Sequence, residues 1–299
     1  MSDGLTCRIA TRVDQPVRAE VTAFAEQLAR ASGAVAALFY GSNLRSGELD
    51  GVLDFYLLLP GPQREAIWPR VSYHERPVGE QVLRAKVATM TLATFARACR
   101  GDSRDTTIWA RFVQPSALVH AASETARAAV LAALADAACT AARLAAALGP
   151  ASGTADHYWR ALFRATYRAE LRVERAGREN AILAVNQAHF DGLLPLALAA
   201  QGIDPGLDGN RLSPQLSPAA RRRIAAWWHR RRRLGKPLNL LRLLKASTTF
   251  AGAARYAAWK VERHTGIAVE LTPWRERHPV LAAPAVLWQV WRARRDGPG

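Results

Sequence analysis

The segment Val52–Leu59 constrains the fold of this chain more than any other. All of its residues are aliphatic or aromatic except Asp54, and turn residues bound it, with Gly51 before it and Pro60-Gly61-Pro62 after it. A short apolar run with such boundaries predicts a buried β-strand. The prediction therefore places a single carboxylate among apolar neighbours.

The sequence around this strand indicates a mixed α/β arrangement. Residues 16–32 have the apolar spacing of a helix that ends at Gly33. Further strand candidates are Val35–Tyr40, Val82–Thr91 and the extended segment Thr107–Leu118. We therefore expect an α/β (α+β) domain with a mixed sheet at residues 1–120.

The remainder of the chain has helical composition. Helical patterns cover Ser123–Leu148, Asp156–Gly177 and Asn180–Ala200. A Gly- and Pro-containing linker at residues 149–153 separates the first of these from the second. The sequence predicts a helical domain at residues 121–200 that packs on the cleft of the first domain, and a basic helical region at residues 201–299.

The positive charge of the chain is concentrated in its C-terminal half. The formal net charge is +16, and residues 151–299 account for +14 of it. Arginines occur in runs at Arg221–Arg223, Arg230–Arg233 and Arg292–Arg295. Tryptophans lie between and beside these runs at Trp227, Trp228, Trp259, Trp274, Trp288 and Trp291. Aromatic rings and arginines at apolar borders suit an anionic membrane surface, which is the partner we expect.

Two other interpretations of this basic region stay open. Nucleic acid is the rival partner, because arginine and tryptophan also bind phosphates and bases. The third interpretation is a solvated basic face over a core that contains tryptophan. We favour the membrane surface over both, and the sequence leaves the oligomeric state open, including a homo-oligomer.

The sequence also indicates a compartment. Cys7, Cys99 and Cys139 are widely spaced and odd in number, so they suggest no disulfide framework and fit a reducing environment. The N-terminus has no apolar core of a signal peptide, and no uninterrupted apolar run is long enough to cross a bilayer. The nearest, Pro279–Trp291, is short and contains Pro284. We expect a peripheral protein on the cytoplasmic face of a membrane.

The segment Leu38–Leu59 carries the clearest chemical signal. Gly41 would let the backbone approach a triphosphate closely, and Ser42 adds a hydroxyl and an amide donor. Asp54 offers oxygen ligands to Mg²⁺. The position two residues before Asp54 is Val52, and Asp50 would lie roughly 13 Å from Asp54 along an extended strand, so either a second acid comes from elsewhere or the site is degenerate.

This segment resembles the active-site hairpin of the nucleotidyltransferase superfamily that includes DNA polymerase beta. With its single acid, it is similar to the mitochondrial-type CDP-diacylglycerol synthases, the translocator assembly and maintenance family of phosphatidate cytidylyltransferases. Phe39-Tyr40-Gly41-Ser42 resembles the family's Tyr-Gly-Ser signature, and Val52-Leu53-Asp54-Phe55 resembles its single-Asp strand. The segments that resemble the family occur in the same order as in the family and span roughly residues 36–262.

The resemblance implies roles for residues further along the chain. Lys86 matches a family lysine on a strand, although Val87-Ala88 replaces the Tyr-Gly that follows it in the family. Arg111 lies in a segment similar to the family's Ala-Gly-Arg-Leu-Gln-Lys-Pro. Glu170 and Arg172 lie in a match to Ser-Tyr-x-Gly-Asp-x-Arg, in which Glu170 stands for Asp. The resemblance implies that Asp54, Lys86 and Glu170 are catalytic, and that Gly41, Ser42, Arg111 and Arg172 bind the nucleotide.

The implied function is Mg²⁺-dependent transfer of CMP from CTP to phosphatidate, with release of pyrophosphate, for phospholipid biosynthesis of the cardiolipin or phosphatidylglycerol type. One alternative is another nucleotidyltransferase that acts on a different lipid phosphate or a small molecule. The other is a degenerate fold that binds RNA or anionic lipid. A cleft that contains Ser42, Asp54 and Lys86 together would favour an enzyme, whereas their dispersal would favour the binding protein.

Overall fold

The computed structural model describes residues 3–169, 178–249 and 251–277, together with 282, 284, 285 and 288. Its centre is a five-stranded sheet. The strands are β1 (Ala36–Tyr40), β2 (Leu53–Leu59), β3 (Arg70–Val78), β4 (Gln81–Thr91) and β5 (Ser116–Ala121). The predicted strands at residues 35–40, 52–59 and 82–91 are thereby confirmed.

The sheet is mixed, with the strand order β3-β4-β2-β1-β5. Strand β2 runs antiparallel to β1 and parallel to β4, while β3 and β5 run antiparallel to their neighbours. One row across the sheet contains Tyr40, Asp54, Lys86 and Tyr73 as successive partners. Because partners in register point to the same face, these four side chains share one side of the sheet.

Helices surround the sheet. Among the described residues they are α1 (Asp3–Val13), α2 (Ala19–Ser32), α3 (Ser42–Ser46), α4 (Leu92–Cys99), α5 (Thr107–Phe112), α6 (Glu124–Leu148), α7 (Ala155–Ala169), α8 (Arg178–Val185), α9 (Gln187–Phe190), α10 (Leu193–Ala199), α11 (Pro218–Thr249), α12 (Ala253–Thr265) and α13 (Pro273–Arg277). A small second sheet pairs β6 (Gly153–Thr154) with β7 (Arg211–Leu212). The mixed α/β class expected from the sequence is confirmed.

The two faces of the sheet bury different cores. Phe55 and Leu57 point into a small core that α2 covers, whereas Tyr56 and Leu58 point into a larger one built with most of the other helices. The larger core also contains Leu144 and Trp228. It therefore draws residues from each of the three ranges 1–120, 121–200 and 201–299, whose division into domains stays a prediction.

Helix α6 is the central helix of the larger core. It contacts α1, α4, α5, α7, α10 and α11, and its buried residues lie on all of its sides. In the part of the chain that the structure describes, α6 alone has the length and apolar composition that would allow a helix to cross a membrane. The same composition suits its place here, because its many alanines let neighbouring helices approach closely.

Three predicted elements differ in the structure. The segment expected to be extended over Thr107–Leu118 begins with helix α5, because the Asp105 side chain accepts hydrogen bonds from the backbone N–H groups of Thr107 and Ile108 and so caps a short helix. The helix expected over Asn180–Ala200 is divided into α8, α9 and α10. The helix expected over 156–177 is described as α7, and its part beyond residue 169 lies outside the described residues.

Candidate active site

The site begins where β1 ends. Tyr40 pairs with Asp54 of β2, and Gly41 follows with φ 98° and ψ −164°, a backbone conformation that only glycine adopts readily. A β-carbon built on Gly41 would lie 3.0 Å from Oδ2 of Asp54. The backbone turn and the carboxylate are therefore in direct contact, as the sequence prediction for these two residues requires.

Asn43, which the sequence analysis did not single out, holds this turn together. Its side-chain amide donates hydrogen bonds to the carbonyl oxygens of Glu48 (3.0 Å) and Asp50 (2.7 Å), and its own oxygen accepts one from the Ser42 hydroxyl (3.3 Å). Asn43 is buried, whereas Ser42 is exposed at the start of α3. An asparagine after Gly-Ser in a polar loop was the available signal, since asparagine often bonds nearby backbone in turns.

Lys86 lies beside Asp54 on the neighbouring parallel strand. The two residues are partners in register on the face that points to the larger core. Burial raises the pKa of the Asp54 carboxyl, and the positive charges of Lys86 and Arg111 oppose that rise. Among the residues that the structure describes, none forms a hydrogen bond or an ion pair with the Asp54 carboxylate. A partly buried carboxylate without such a partner favours a cationic or hydrogen-bonding ligand.

Arg111 approaches from α5. Its Nη1 donates a hydrogen bond of 2.9 Å to the hydroxyl of Tyr56, and its guanidinium carbon lies 5.2 Å from the centroid of the Tyr40 ring. These contacts aim the guanidinium at the same end of the sheet as Asp54, where it acts on the pKa of that carboxyl. The structure therefore brings Gly41, Ser42, Asp54, Lys86 and Arg111 together.

Helix α5 is itself fixed from the other side of the molecule. The Asp105 side chain that caps it also accepts a 2.6 Å hydrogen bond from Nη1 of Arg242, a residue of α11. The Arg242 guanidinium in turn lies over the Trp68 ring. The position of Arg111 thus depends on a buried ion pair between α5 and α11.

The predicted residues Glu170 and Arg172 lie outside the described residues. Asp50 precedes the start of β2 at Leu53, and its side chain is exposed. In the described ranges, no group of three or more His, Cys, Asp or Glu side chains could hold a metal ion. The arrangement fits Mg²⁺ bound through one carboxylate, Asp54, with substrate phosphates and water as the other ligands, which is a common mode for this ion.

Helix α12, which the sequence analysis did not assign to the site, packs on the β3–β4 side of the sheet face that carries Asp54. The segment before this helix adds to the sheet edge, where the Tyr73 N–H donates to the Ala251 carbonyl at 2.8 Å. The helix then places the Tyr256 ring 5.4 Å from the Tyr73 ring and Trp259 over Arg84. Tyr73 and Arg84 share the sheet face of Lys86, so α12 covers the β3–β4 side of the site.

Two of the tryptophans of the basic region pack in the core and two others are exposed. Trp228 is 3% exposed, and the rings of Trp227 and Trp228 lie 6.0 and 6.1 Å from that of Trp109, so this pair belongs to the core. Trp274 and Trp288 are exposed. The segment Pro279–Trp291 lies largely outside the described residues, and Arg292–Arg295 lies wholly outside them.

The outer face of α11 keeps a continuous basic surface. It presents the exposed side chains of Arg222, Arg223, Arg230, Arg232, Arg233 and Lys236, followed by exposed Leu240 and Leu241. Within the described ranges these six cations have no acidic partner at ion-pair distance. An uncompensated basic face next to exposed leucines fits an anionic partner.

No protein-family model matches the chain, and no curated protein matches it either.

Proposed function

We propose that this protein is a Mg²⁺-dependent nucleotidyltransferase that transfers CMP from CTP to phosphatidate and releases pyrophosphate. One observation carries the proposal. The partly buried Asp54 carboxylate, which has no partner among the described residues, lies against the Gly41 turn, with Lys86 and Arg111 beside it. This is one acid at the meeting point of a phosphate-binding turn and two cations.

The fold proposal rests on the same elements. A strand that ends in Gly-Ser, a short polar loop and a second strand with the acid make up the hairpin of the nucleotidyltransferase fold that the sequence resembles; in this chain helix α3 forms part of that loop. The β1–α3–β2 unit of this chain has that order. We therefore assign the sheet domain to this fold as a proposal.

In the proposed reaction, a phosphate oxygen of phosphatidate forms a bond to the α-phosphorus of CTP. The bond from that phosphorus to the bridging oxygen breaks, and pyrophosphate leaves with the electron pair. Because no covalent enzyme intermediate is needed, the protein acts by positioning and by neutralising charge. Mg²⁺ held by Asp54 would supply additional neutralisation at the phosphates.

Individual residues have separable tasks in this scheme. Gly41 leaves room for phosphate oxygens to approach the backbone, and Ser42 offers donors at the start of α3. Arg111 neutralises charge that develops on the leaving pyrophosphate, while Lys86 neutralises the transferred group from the next strand. The sheet holds Lys86 and helix α5 holds Arg111, so the positions of these two cations exist before the substrate binds.

The choice of CTP and phosphatidate rests on the family resemblance, as does the predicted part of Glu170 and Arg172. The basic outer face of α11 supports a peripheral position on an anionic membrane, where phosphatidate is available. The second candidate is a nucleotidyltransferase with a different phosphate acceptor. The clustering of Ser42, Asp54 and Lys86 favours either enzyme over a degenerate binding protein.

The test measures pyrophosphate release by the purified protein with Mg²⁺, phosphatidate in mixed micelles and each of the four nucleoside triphosphates. We expect release with CTP that depends on phosphatidate. Asp54→Asn should lower the rate by at least about 100-fold, because the metal loses its carboxylate ligand. Asp50→Asn is the matched control, since that exposed side chain lies only four residues earlier and should leave the rate unchanged.

The outcomes separate the candidates. Release with CTP but without any response to phosphatidate would point to another acceptor. Equal rates in wild-type protein and Asp54→Asn would remove Asp54 from the mechanism. An absence of turnover with every nucleotide would favour the binding protein.

A further inference from the structure

The side of α12 next to β3 carries basic residues to which the proposed mechanism gives no task. Tyr256, Trp259, Lys260 and Arg263 follow the i, i+3, i+4 and i+7 spacing that places residues on one side of a helix. Tyr256 packs against Tyr73 of β3, so this side faces the sheet. The helix therefore presents two rings and two cations to the β3–β4 side of the cleft.

Trp259 organises the arginines of this wall. The guanidinium carbons of Arg84 and Arg263 each lie 5.2 Å from the centroid of its ring, while Nζ of Lys260 lies 5.0 Å from that of Tyr256. Such cation–π contacts orient a guanidinium without using its hydrogen-bond donors. Among the described residues Arg263 has no hydrogen-bond partner, so its N–H groups stay available for an anion, whereas Nη1 of Arg84 donates to the Val82 carbonyl at 3.1 Å.

The position of Arg263 connects this wall to Asp54. A β-carbon on Gly51 would lie 3.3 Å from Nη1 of Arg263, and Gly51 is only three residues before Asp54. Arg84 has the same orientation as Lys86, two residues further along β4. Arg263 of α12 and Lys86 of β4 thus both lie near the start of β2, the strand that carries Asp54.

The charge of this wall is mostly uncompensated. Arg84 has Glu75 within 3.6 Å. Within the described ranges, Lys260 and Arg263 have no acidic side chain at ion-pair distance. Among the described residues, Glu75 is therefore the acid other than Asp54 that offsets the charge of a set of four cations: Arg84, Lys86, Lys260 and Arg263. We call Arg84, Trp259, Lys260 and Arg263 the α12 anion site.

We propose that the α12 anion site binds the phosphomonoester group of the acceptor, an inference that rests on the proposed nucleotidyl transfer. In-line displacement at phosphorus requires the attacking oxygen to enter opposite the leaving group. Gly41, Ser42 and Arg111 bind the leaving pyrophosphate on the β1 and α5 side of Asp54, so the acceptor phosphate enters from the β4 and α12 side.

The chemistry of the wall suits this ligand. A phosphomonoester carries close to two negative charges at neutral pH and accepts paired hydrogen bonds from a guanidinium. Arg263, oriented by Trp259, offers such a pair of donors. A neutral hydroxyl acceptor would gain little from this wall, so the site discriminates phosphate acceptors from alcohols.

The first test uses Arg263→Ala, at an exposed position where folding should be preserved, with short-chain dioctanoyl phosphatidate as a water-soluble acceptor. We expect the KM for this acceptor to rise about 10- to 100-fold, as the loss of a charge-assisted contact predicts, while the KM for CTP changes less than about twofold. Arg263→Lys should recover part of the loss. Arg97→Ala, at an exposed arginine of α4, is the matched control.

A rise in the KM for CTP with an unchanged KM for the acceptor would overturn the proposal, because Arg263 would then bind the nucleotide. Unchanged constants for both substrates would overturn it as well. A second measurement does not depend on turnover: calorimetric titration of dioctanoyl phosphatidate, and separately of glycerol 3-phosphate, into nucleotide-free protein.

Arg263→Ala should weaken phosphatidate binding by the same factor in that titration. Weakened binding without turnover would refute the proposed reaction yet keep the anion site. Equal binding by wild-type protein and Arg263→Ala would refute the anion site itself. If glycerol 3-phosphate binds as tightly as phosphatidate, the site recognises the phosphate group alone; a preference for phosphatidate adds a contact to its acyl chains.

Discussion

The Asp54 carboxylate occupies the space that a side chain on Gly41 would need. A β-carbon at residue 41 would lie 3.0 Å from Oδ2 of Asp54, and the φ of 98° at this residue also disfavours any side chain. The absence of a side chain at Gly41 therefore lets the end of β1 lie directly against the Asp54 carboxylate. Steric fit and backbone conformation both exclude substitution there.

We predict that Gly41→Ala abolishes nucleotidyl transfer and lowers the free energy of unfolding by about 1–3 kcal/mol, the usual cost of a strained backbone conformation. Gly47→Ala is the matched control. Gly47 has φ 70°, but nothing lies within 4 Å of a β-carbon there. Gly47→Ala should be similarly destabilised yet retain activity, and comparable loss of activity in both variants would contradict the role of the contact.

Asp54→Asn should separate stability from activity. Burial raises the pKa of Asp54, which means that the folded protein disfavours its charged form. A neutral amide of the same shape removes that cost, so we expect the free energy of unfolding without metal to stay equal or rise by about 1 kcal/mol. Chemical denaturation measures it. A marked loss of stability would indicate that the carboxylate has a structural partner.

The Asp105–Arg242 pair should be worth more than any surface pair in this protein. The Asp105 side chain is 2% exposed and caps the helix that carries Arg111. Arg242→Met leaves that carboxylate buried without its cation, so the free energy of unfolding should fall by about 2–4 kcal/mol. Arg255→Met, which breaks the exposed pair with Glu276, should cost less than about 1 kcal/mol. Equal losses would show that α5 is fixed by other contacts.

His189 should make stability depend on pH. Burial lowers its pKa to about 4, with smaller contributions from Arg12 and Arg8, and in the neutral form its Nε2–H donates to the Val113 carbonyl at 2.9 Å. Between the ordinary value of about 6.5 and pH 4 the unfolded chain binds a proton that the folded chain does not. Stability should therefore be complete above about pH 6.5 and decrease by about 3 kcal/mol towards pH 4.

The measurement for this prediction is denaturant unfolding at several pH values. His189→Gln should flatten the decrease, since an amide can donate the same hydrogen bond without titrating. His229→Gln, at an exposed histidine of α11, should leave the curve unchanged. An unaltered curve in His189→Gln would assign the pH dependence to other groups.

The basic face of α11 should bind anionic vesicles. Replacing Arg230 and Arg233 by glutamine removes two exposed cations, and each should reduce affinity about fivefold, a reduction that fades at high salt. Co-sedimentation with vesicles that contain phosphatidylglycerol measures it, with vesicles of phosphatidylcholine alone and Arg97→Gln as controls. Preferential binding of single-stranded RNA over these vesicles would favour the rival partner.

Elements with strong local signals were predictable. Strand β2 is a continuous apolar run and helix α6 is rich in alanine and leucine, and turn residues bound both. Their sequence pattern is therefore enough to predict the type and position of each element. Strand β3 and helix α1 were missed. Polar residues alternate through β3, from Arg70 to Val78, because one edge of this strand and part of its surface face water. Helix α5 depends on hydrogen bonds from its first backbone N–H groups to the Asp105 side chain, and the helix propensities of its residues do not include such a cap.

The residues of the candidate site also differ in whether the sequence alone predicts that they lie together. Gly41, Ser42 and Asp54 lie within one hairpin, so their proximity follows from the spacing of two adjacent strands. Lys86 reaches Asp54 only because β4 pairs with β2 in parallel at one particular register, which depends on the packing of both faces of the sheet.

The sequence by itself determined the mixed α/β class, the Gly-Ser turn before a strand with one acid, and the excess of positive charge near the C-terminus. These are local or additive properties of the chain. Only the tertiary structure decided that Arg111 lies over the Tyr40 ring next to Asp54, that Arg242 binds the cap of the Arg111 helix, and that Arg263 of α12 lies next to Gly51. Such contacts join residues far apart in sequence, and they form because shared cores and a sheet edge bring separate helices to the same place.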